Sequence, residues 1–184
     1  GEEGRIFWML KYLNVTDVRV LYGGIYGWKE DGGSGSGVGD DDGTGLAFVA
    51  QEVPEVRATI DDVEALLTDD ESSVLFVDTR SSSEFEGSTP YGSPRGGHVP
   101  EAVNLEWSRV FGEKGNLIEA QELRTLVSGL GVSPEVDAIV SYCTGGVRSA
   151  FLWTVLSWAG YEDVANFDGS WWEYSRTDMP ASAD

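Results

Sequence analysis

The sequence has very little of the two residues that most often build metal sites and catalytic pairs. It contains one cysteine, Cys143, and one histidine, His98, among 184 residues. A single cysteine excludes an internal disulfide framework and a zinc site made of several cysteines. A single histidine leaves little material for a His-based metal site or for a Cys/His or Ser/His catalytic pair. We therefore expect no metal ion.

Long apolar runs are also missing. No stretch approaches the ~18 residues that a membrane-spanning helix needs. No basic segment followed by an apolar one opens the chain, as a secretory leader would. We therefore expect a cytoplasmic protein without a membrane partner.

Basic residues are scarce. Twelve Lys and Arg stand against 32 Asp and Glu, which gives a net charge of −20. Such a surface repels nucleic acid and anionic membranes, so neither is expected as a partner. The excess of carboxylates favours a halophilic protein that stays solvated in a salty cytoplasm, and an acidic protein of an ordinary cytoplasm is the alternative.

The apolar content is ordinary, at 41% of the chain, so a packed core is expected. From Val53 onward, strand and helix patterns alternate, which predicts an α/β domain with a mostly parallel sheet. The predicted strands are 57–60, 74–77, 102–105, 138–142 and 164–167. The predicted helices are 61–67 (capped by Asp61), 81–85, 120–130 and 149–158.

The start of the chain repeats its end. Shifted by 146 positions, it aligns without a gap, so that Leu10 meets Leu156 and Gly23 meets Gly169. The unit predicts a helix over 5–13 with Ile6, Met9, Leu10 and Leu13 on its apolar face, a strand over 18–21 and a helical turn over 25–30. Such self-similarity indicates duplicated domains. We expect residues 1–30 to be the end of an N-terminal domain, 31–52 a Gly/Asp-rich linker and 53–184 the catalytic domain.

Cys143 follows the most hydrophobic predicted strand and precedes a short glycine loop and a helix. The loop residues are Thr144, Gly145, Gly146, Val147 and Arg148. A strand, a glycine loop and a helix N-terminus form a cradle of N–H groups that favours an anion. A cysteine there is expected to ionise readily and to act as a nucleophile, with Arg148 adding positive charge at the rim. The alternative is a cysteine that only fills space in the core.

Four motifs in order make the sequence similar to the rhodanese-like sulfurtransferases, specifically the tandem two-domain kind. They are Val77-Asp78-Thr79-Arg80 with Glu84-Phe85, Gly97-His98-Val99-Pro100-Glu101-Ala102, Cys143-Thr144-Gly145-Gly146-Val147-Arg148, and Asn166-Phe167-Asp168-Gly169-Ser170-Trp171. The resemblance implies a mostly parallel central sheet flanked by helices on both faces. It also implies transfer of sulfane sulfur through a cysteine persulfide, without a cofactor.

The resemblance assigns roles to individual residues. Cys143 matches the nucleophile, 144–148 match the active-site loop, and Arg80 matches an arginine that binds the anionic donor. Asp78 and Glu84 match structural positions, with Glu84 expected to hold Arg80. His98 matches a turn residue, and Trp171 and Trp172 are expected to pack in the core or between domains.

The residues leave the substrates partly open. By the same resemblance, a loop with a cationic side chain such as Arg148 is similar to those of the members that use thiosulfate, so thiosulfate is the favoured donor. Neutral residues such as Thr144 and Gly145 resemble the loops of members that use 3-mercaptopyruvate, which is the alternative. Cyanide, a small thiol or a protein thiol is the expected acceptor. A rhodanese-like relay or binding module without turnover is a second hypothesis. A cysteine phosphatase or arsenate reductase is disfavoured, because only four residues separate Cys143 from Arg148 where those enzymes have five.

Overall fold

The computed structural model describes residues 1–35, 48–69, 71, 73–112, 115–132 and 138–183. The strands are β1 (Arg57–Ala58), β2 (Val74–Asp78), β3 (Val103–Asn104), β4 (Ala138–Tyr142) and β5 (Val164–Phe167). The helices are α1 (Glu2–Tyr12), α2 (Gly24–Glu30), α3 (Ile60–Thr68), α4 (Ser82–Phe85), α5 (Ala120–Ser128), α6 (Val147–Trp158) and α7 (Ser170–Tyr174). Short 3-10 turns lie at Pro54–Val56 and Trp107–Val110.

The five strands form one sheet in the order β1-β5-β4-β2-β3, and all of its strand pairs are parallel. This confirms the predicted parallel sheet. β4 lies at the centre, paired with β2 from Val74↔Ala138 to Asp78↔Tyr142. The residue that follows β4, Cys143, therefore stands at the middle of the carboxyl edge of the sheet, where ligands bind in open α/β folds.

Helices cover both faces of the sheet, as expected. Side chains alternate along a strand, so Phe76 and Val77 of β2 point to opposite faces. Val77 belongs to a core cluster with buried residues of α1, α5 and α6, and Phe76 belongs to a second cluster with residues of α3 and α7. α6 is apolar almost all round and contributes seven buried residues, which confirms that it is a buried helix.

The buried face of α1 differs from the predicted one. Gly4 and Trp8 are buried, whereas Ile6 is 56% exposed and Met9 is 40% exposed. Gly4 lets the helix come very close to α6, because a Cβ at this position would lie 2.5 Å from the Cα of Phe151. The Trp8 indole fills the neighbouring space and donates a hydrogen bond to the Val56 carbonyl at 2.8 Å. The close approach of the α1 and α6 backbones sets the orientation of this helix. The spacing of apolar residues in the sequence does not indicate such an approach.

The predicted strand over 18–21 is wrong. None of the described strands pairs with these residues, and Val20 and Leu21 are exposed. An apolar run becomes a strand only where a neighbour completes its hydrogen bonds. The predicted helical turn that follows is confirmed as α2.

Several boundaries also shift. The predicted strand 57–60 shortens to β1, because Thr59 caps α3 in place of Asp61 and forms a capping box with Asp62. α6 begins at Val147, two residues earlier than predicted, so the loop after Cys143 runs directly into the helix. The predicted strand 102–105 shortens to β3.

The predicted division into three parts stays a prediction. Residues 36–47 of the Gly/Asp-rich segment lie outside the described residues. On either side of it, the Val53 amide donates to the Tyr12 carbonyl at 2.8 Å, and α1 packs on α6. Among the described helices, none has the length and apolarity needed to span a bilayer.

Candidate active site

Cys143 lies at the start of a tight loop between β4 and α6 and is 1% exposed. Its backbone N–H donates to the Ser170 hydroxyl at 3.0 Å, and its carbonyl accepts from the Trp171 N–H at 3.0 Å. The start of α7 thus fixes the backbone of the cysteine from the neighbouring strand end.

Hydrogen-bond donors of the loop, of α6 and of α7 surround the sulfur. The Gly146 N–H lies 3.1 Å from Cys143 Sγ, the Ser149 hydroxyl 3.6 Å and the Ser170 hydroxyl 3.9 Å. Gly146 has a φ of +83°, and a Cβ there would lie 2.5 Å from the Asp168 carbonyl oxygen, so only glycine fits. The arrangement resembles the N–H cradle expected from the sequence, with two hydroxyls added.

The surroundings of the sulfur favour the thiolate. Burial alone raises the pKa of the Cys143 thiol, but hydrogen bonds from the Ser149 N–H and hydroxyl, the charge of Arg148 and a hydrogen bond from the Gly145 N–H outweigh it. The net effect is a pKa below the ordinary value of a cysteine. A buried thiol that merely filled space would have a raised pKa instead.

Glu84 ties the loop to α4. Its carboxylate accepts from Arg148 Nη1 at 2.8 Å, from Arg148 Nη2 at 3.0 Å and from the Thr144 hydroxyl at 2.8 Å. Burial acts to raise the pKa of Glu84, yet the hydrogen bonds from Arg148 and Thr144 and the Arg148 charge lower it to about 2. The expectation that Glu84 holds Arg80 is therefore wrong, because Glu84 holds Arg148.

Arg80 lies inside the fold and away from the wall of the site. It is 1% exposed, its Nε is 2.9 Å from Asp78 Oδ1, and its Nη2 donates to the Gly97 carbonyl at 2.7 Å. Its guanidinium also lies over the Trp171 ring, 4.7 Å from the centroid. These partners occupy the guanidinium in a structural ion pair, which corrects the expectation that Arg80 lies where a donor binds.

An open pocket of about 190 Å³ leads to Cys143. Its lining residues are Tyr91, Cys143, Thr144, Gly145, Val147, Arg148 and Trp172. The whole predicted loop except Gly146 therefore lines the pocket. Gly146 lies behind it, on the side of Asp168.

Two aromatic residues of this pocket were not expected from the sequence. The Trp172 indole is 43% exposed and donates to the Tyr91 carbonyl at 3.3 Å, and its ring covers Gly145 so closely that a Cβ there would lie 2.6 Å from it. Trp171 is buried in the core, as expected. Successive helical residues point about 100° apart, so on a helix with a single buried face two adjacent tryptophans point in different directions, and this spacing could have indicated that one of them is exposed. Tyr91 lies in a loop that carries no periodic signal.

His98 takes the structural place that its motif implied. Its Nδ1 lies 2.9 Å from the Phe85 carbonyl, and its ring stacks on that of Phe85. In the described parts of the chain, no group of three or more His, Cys, Asp or Glu side chains could hold a metal ion.

A comparison with family models matches residues 59–177 to the rhodanese-like domain. The chain belongs to this family. The match begins at the cap of α3 and covers the whole sheet edge around Cys143. It therefore confirms the resemblance of the four motifs to the rhodanese-like family.

Curated relatives of this rhodanese-like chain have names from sulfur chemistry. It is 36% identical to "Thiosulfate sulfurtransferase" of Corynebacterium glutamicum, over 92% of this chain and 58% of the relative. It is 34% identical to "Sulfur carrier protein TtuD" of Thermus thermophilus, over 92% of this chain and 62% of the relative. It is 33% identical to "3-mercaptopyruvate sulfurtransferase" of Escherichia coli K12, over 96% of this chain and 62% of the relative. The chain thus spans about three fifths of the length of these relatives.

Among solved structures, the wild-type structure of EanB is similar, with a TM-score of 0.77 and 25% identity over 97% of this chain and 43% of that chain. The likeness extends beyond the family match to α1, because it covers nearly all of the chain.

Proposed function

We propose that this rhodanese-like protein is a sulfurtransferase that moves sulfane sulfur from thiosulfate or 3-mercaptopyruvate to a thiophilic acceptor through a persulfide on Cys143. The observation that supports this best is the sulfur of Cys143, which faces the Gly146 N–H and two hydroxyls at the floor of an open pocket. The names of the relatives agree with this chemistry.

The first half-reaction loads the cysteine. The Cys143 thiolate attacks the outer sulfur of thiosulfate, the S–S bond of the donor breaks, and sulfite leaves with the electron pair. With 3-mercaptopyruvate, the carbon–sulfur bond breaks instead, and the enolate of pyruvate leaves and takes the thiol proton on carbon. Either donor leaves a Cys143 persulfide whose terminal sulfur is negative, and donors of the cradle stabilise that charge.

The second half-reaction unloads it. A nucleophile such as cyanide, a small thiol or a protein thiol attacks the terminal sulfur, the persulfide bond breaks, and the Cys143 thiolate is restored. Transfer through a covalent intermediate predicts ping-pong kinetics. A reduced thiol suits a reducing compartment such as the cytoplasm.

The pairing of Arg148 bears on the donor. The preference for thiosulfate rested on the cationic side chain of Arg148 in the loop, but its guanidinium is bound by Glu84 through two hydrogen bonds. Its charge is largely offset where a dianion would approach. Both donors therefore remain in the proposal, and the ratio of their kcat/KM values decides between them.

A persulfide mass shift tests the proposal directly. After incubation with thiosulfate or 3-mercaptopyruvate, we expect the intact mass to rise by about 32 Da, the mass of one sulfur atom, and the shift to be absent in Cys143→Ser. Because the chain has one cysteine, the assignment is unambiguous. An unmodified wild-type protein with both donors, in low and in molar salt, would contradict the proposal.

A sulfur-relay role without small-molecule turnover is the second candidate, and the name of the Thermus relative favours it. Both candidates predict a persulfide, but only the enzyme turns over. Thiocyanate formed in excess over the protein in a thiosulfate–cyanide assay supports the enzyme, whereas one equivalent per Cys143 supports the relay.

A further inference from the structure

Arg5 of α1 reaches the active-site loop from a distant part of the sequence. Its Nη1 donates to the Gly146 carbonyl at 3.2 Å, and its Nη2 lies 3.4 Å from Asp168 Oδ2. Asp168 is held in turn by Arg57, whose Nε lies 2.9 Å from Oδ1. Arg5 also lies over the Trp8 ring, 4.8 Å from the centroid, so the buried residue of α1 supports it.

Gly146 is the one loop residue that contacts Arg5 and the sulfur at once. Its N–H donates to Cys143 Sγ at 3.1 Å, and its carbonyl accepts from Arg5. Gly146 has a φ of +83°, a backbone conformation that glycine adopts readily and residues with a side chain rarely adopt. The only other bond to this carbonyl among the described backbone bonds is the long one from the Ala150 N–H, at 3.4 Å. The carbonyl and the N–H of Gly146 belong to adjacent peptide planes that meet at its Cα, so a cation bound to the carbonyl restrains the plane next to the one whose N–H faces the sulfur.

We infer that Arg5 is a positioning residue that holds Gly146 so that its N–H faces the sulfur of Cys143. It acts from behind the loop, since the residues that line the pocket are others. The assignment is new relative to the family match, which begins at residue 59. It rests on the proposed function only for its effect on turnover, because the ionisation of the thiol can be measured without any sulfur donor.

Two groups of charged residues lie near Cys143, and the experiment must distinguish the effect of one from the effect of the other. Arg148 of α6 and Glu84 of α4 form a pair on the pocket side. Arg5 of α1, Asp168 after β5 and Arg57 of β1 form a second group behind the loop. Replacing Arg5 leaves the first pair intact, so a change in the thiol reports on the second group.

The experiment measures the rate of Cys143 alkylation by iodoacetamide between pH 5 and pH 10 in the full chain. In Arg5→Met, we expect the midpoint of the rate profile to rise by about one pH unit, so that the rate below the midpoint falls by about tenfold. The matched control is Arg19→Met, since Arg19 is 86% exposed and pairs with Asp17, and it should keep the wild-type midpoint. Arg5→Lys keeps a cation near Gly146 and should restore most of the wild-type profile.

A purely structural role for Arg5 predicts a different result. It would lower the melting temperature of Arg5→Met and leave the alkylation midpoint unchanged, and this outcome overturns the inference. If Arg5→Met does not fold, Arg5→Gln takes its place, because glutamine is equally compatible with a helix but too short to hold both acceptors. An unchanged midpoint in that variant overturns the inference as well.

Turnover gives an independent readout. Because Arg5 does not line the pocket, its loss should lower kcat for thiosulfate and cyanide by about tenfold and change KM less than twofold. Failure of the proposed function can be distinguished from failure of this inference. A wild-type protein that forms no persulfide still has an alkylation profile that can be compared with that of Arg5→Met.

Discussion

The carboxylate of Glu84 joins three parts of the site: the capping box of α4, the Thr144 hydroxyl and the Arg148 guanidinium. The carboxylate accepts five hydrogen bonds from Ser81, Thr144 and Arg148, and the residue is 4% exposed. Removing one member of such a buried pair leaves the other without a partner. The geometry of the loop and the acid stability of the protein should therefore depend on this one side chain.

Glu84→Gln tests this dependence at neutral pH. The substitution keeps the size of the side chain but removes the charge, so Arg148 loses its counterion. We expect the free energy of unfolding to fall by roughly 2–4 kcal/mol, measured by urea denaturation at pH 7. Glu86→Gln is the matched control, since Glu86 is the exposed carboxylate two residues on, and should change stability by less than about 0.5 kcal/mol.

The pH dependence of the same pair has a definite sign. Glu84 has a folded pKa of about 2 against an ordinary value of 4.5, so its ionised form is favoured in the folded state. Its contribution is present above pH 5 and is lost as the pH falls toward 2. The stability difference between the wild type and Glu84→Gln should shrink across this range. A difference that stays constant from pH 6 to pH 3 would contradict the assigned pKa.

At the residue scale, the sequence predicted the position of Cys143 and its loop better than the hydrogen-bond partners of the charged residues. Cys143 and its loop were predictable because a strand, two glycines and a helix start are local features. The sequence could not show which arginine pairs with Glu84. Arg80 and Arg148 are both plausible partners, and only the fold brings the start of α6 next to α4. Trp172 and Tyr91 meet over the loop through a long-range contact of the same kind.

At the scale of elements, the contact between α1 and α6 depends on the absence of a side chain. Gly4→Ala would place a Cβ 2.5 Å from the Cα of Phe151, so the two helices would have to separate. We expect a loss of roughly 2–3 kcal/mol in unfolding free energy, measured by thermal or urea denaturation, although alanine favours helix formation.

A second helical glycine provides the control. A Cβ at Gly27 of α2 would lie 3.7 Å from its nearest neighbour, the Tyr22 carbonyl oxygen, which is an ordinary contact. Gly27→Ala should therefore leave stability unchanged or raise it by up to about 1 kcal/mol. Equal effects of the two substitutions would show that α1 is not tightly packed on α6.

The elements that the sequence predicted well are those whose runs of apolar residues are buried in the core. β2, β4, β5 and α6 appear close to where their patterns place them. The strand over 18–21 failed because strand formation depends on a partner elsewhere in the chain. The face of α1 failed because its orientation follows from the contact of Gly4 with Phe151 and not from the spacing of Ile6 and Met9.

For the whole molecule, the net charge of −20 governs the response to salt. Among the described acidic residues most lie on the surface, where like charges repel and salt screens the repulsion. We expect the melting temperature to rise by 10 °C or more, roughly, between 0.05 and 2 M KCl. Sucrose at matched osmolality separates screening from a general solute effect. A flat response to KCl would remove the argument for a halophilic protein.

The contact of Gly4 with Phe151 also affects which truncated forms of the chain keep a complete core. The family match begins at residue 59, yet α6, inside it, has its outer side covered by α1. A chain that starts at residue 53 would bare Phe151 to water and lose the Trp8 cover over Val56. We therefore expect the cooperative folding unit to extend beyond the family match, with residues 1–13 unfolding together with the residues around Cys143.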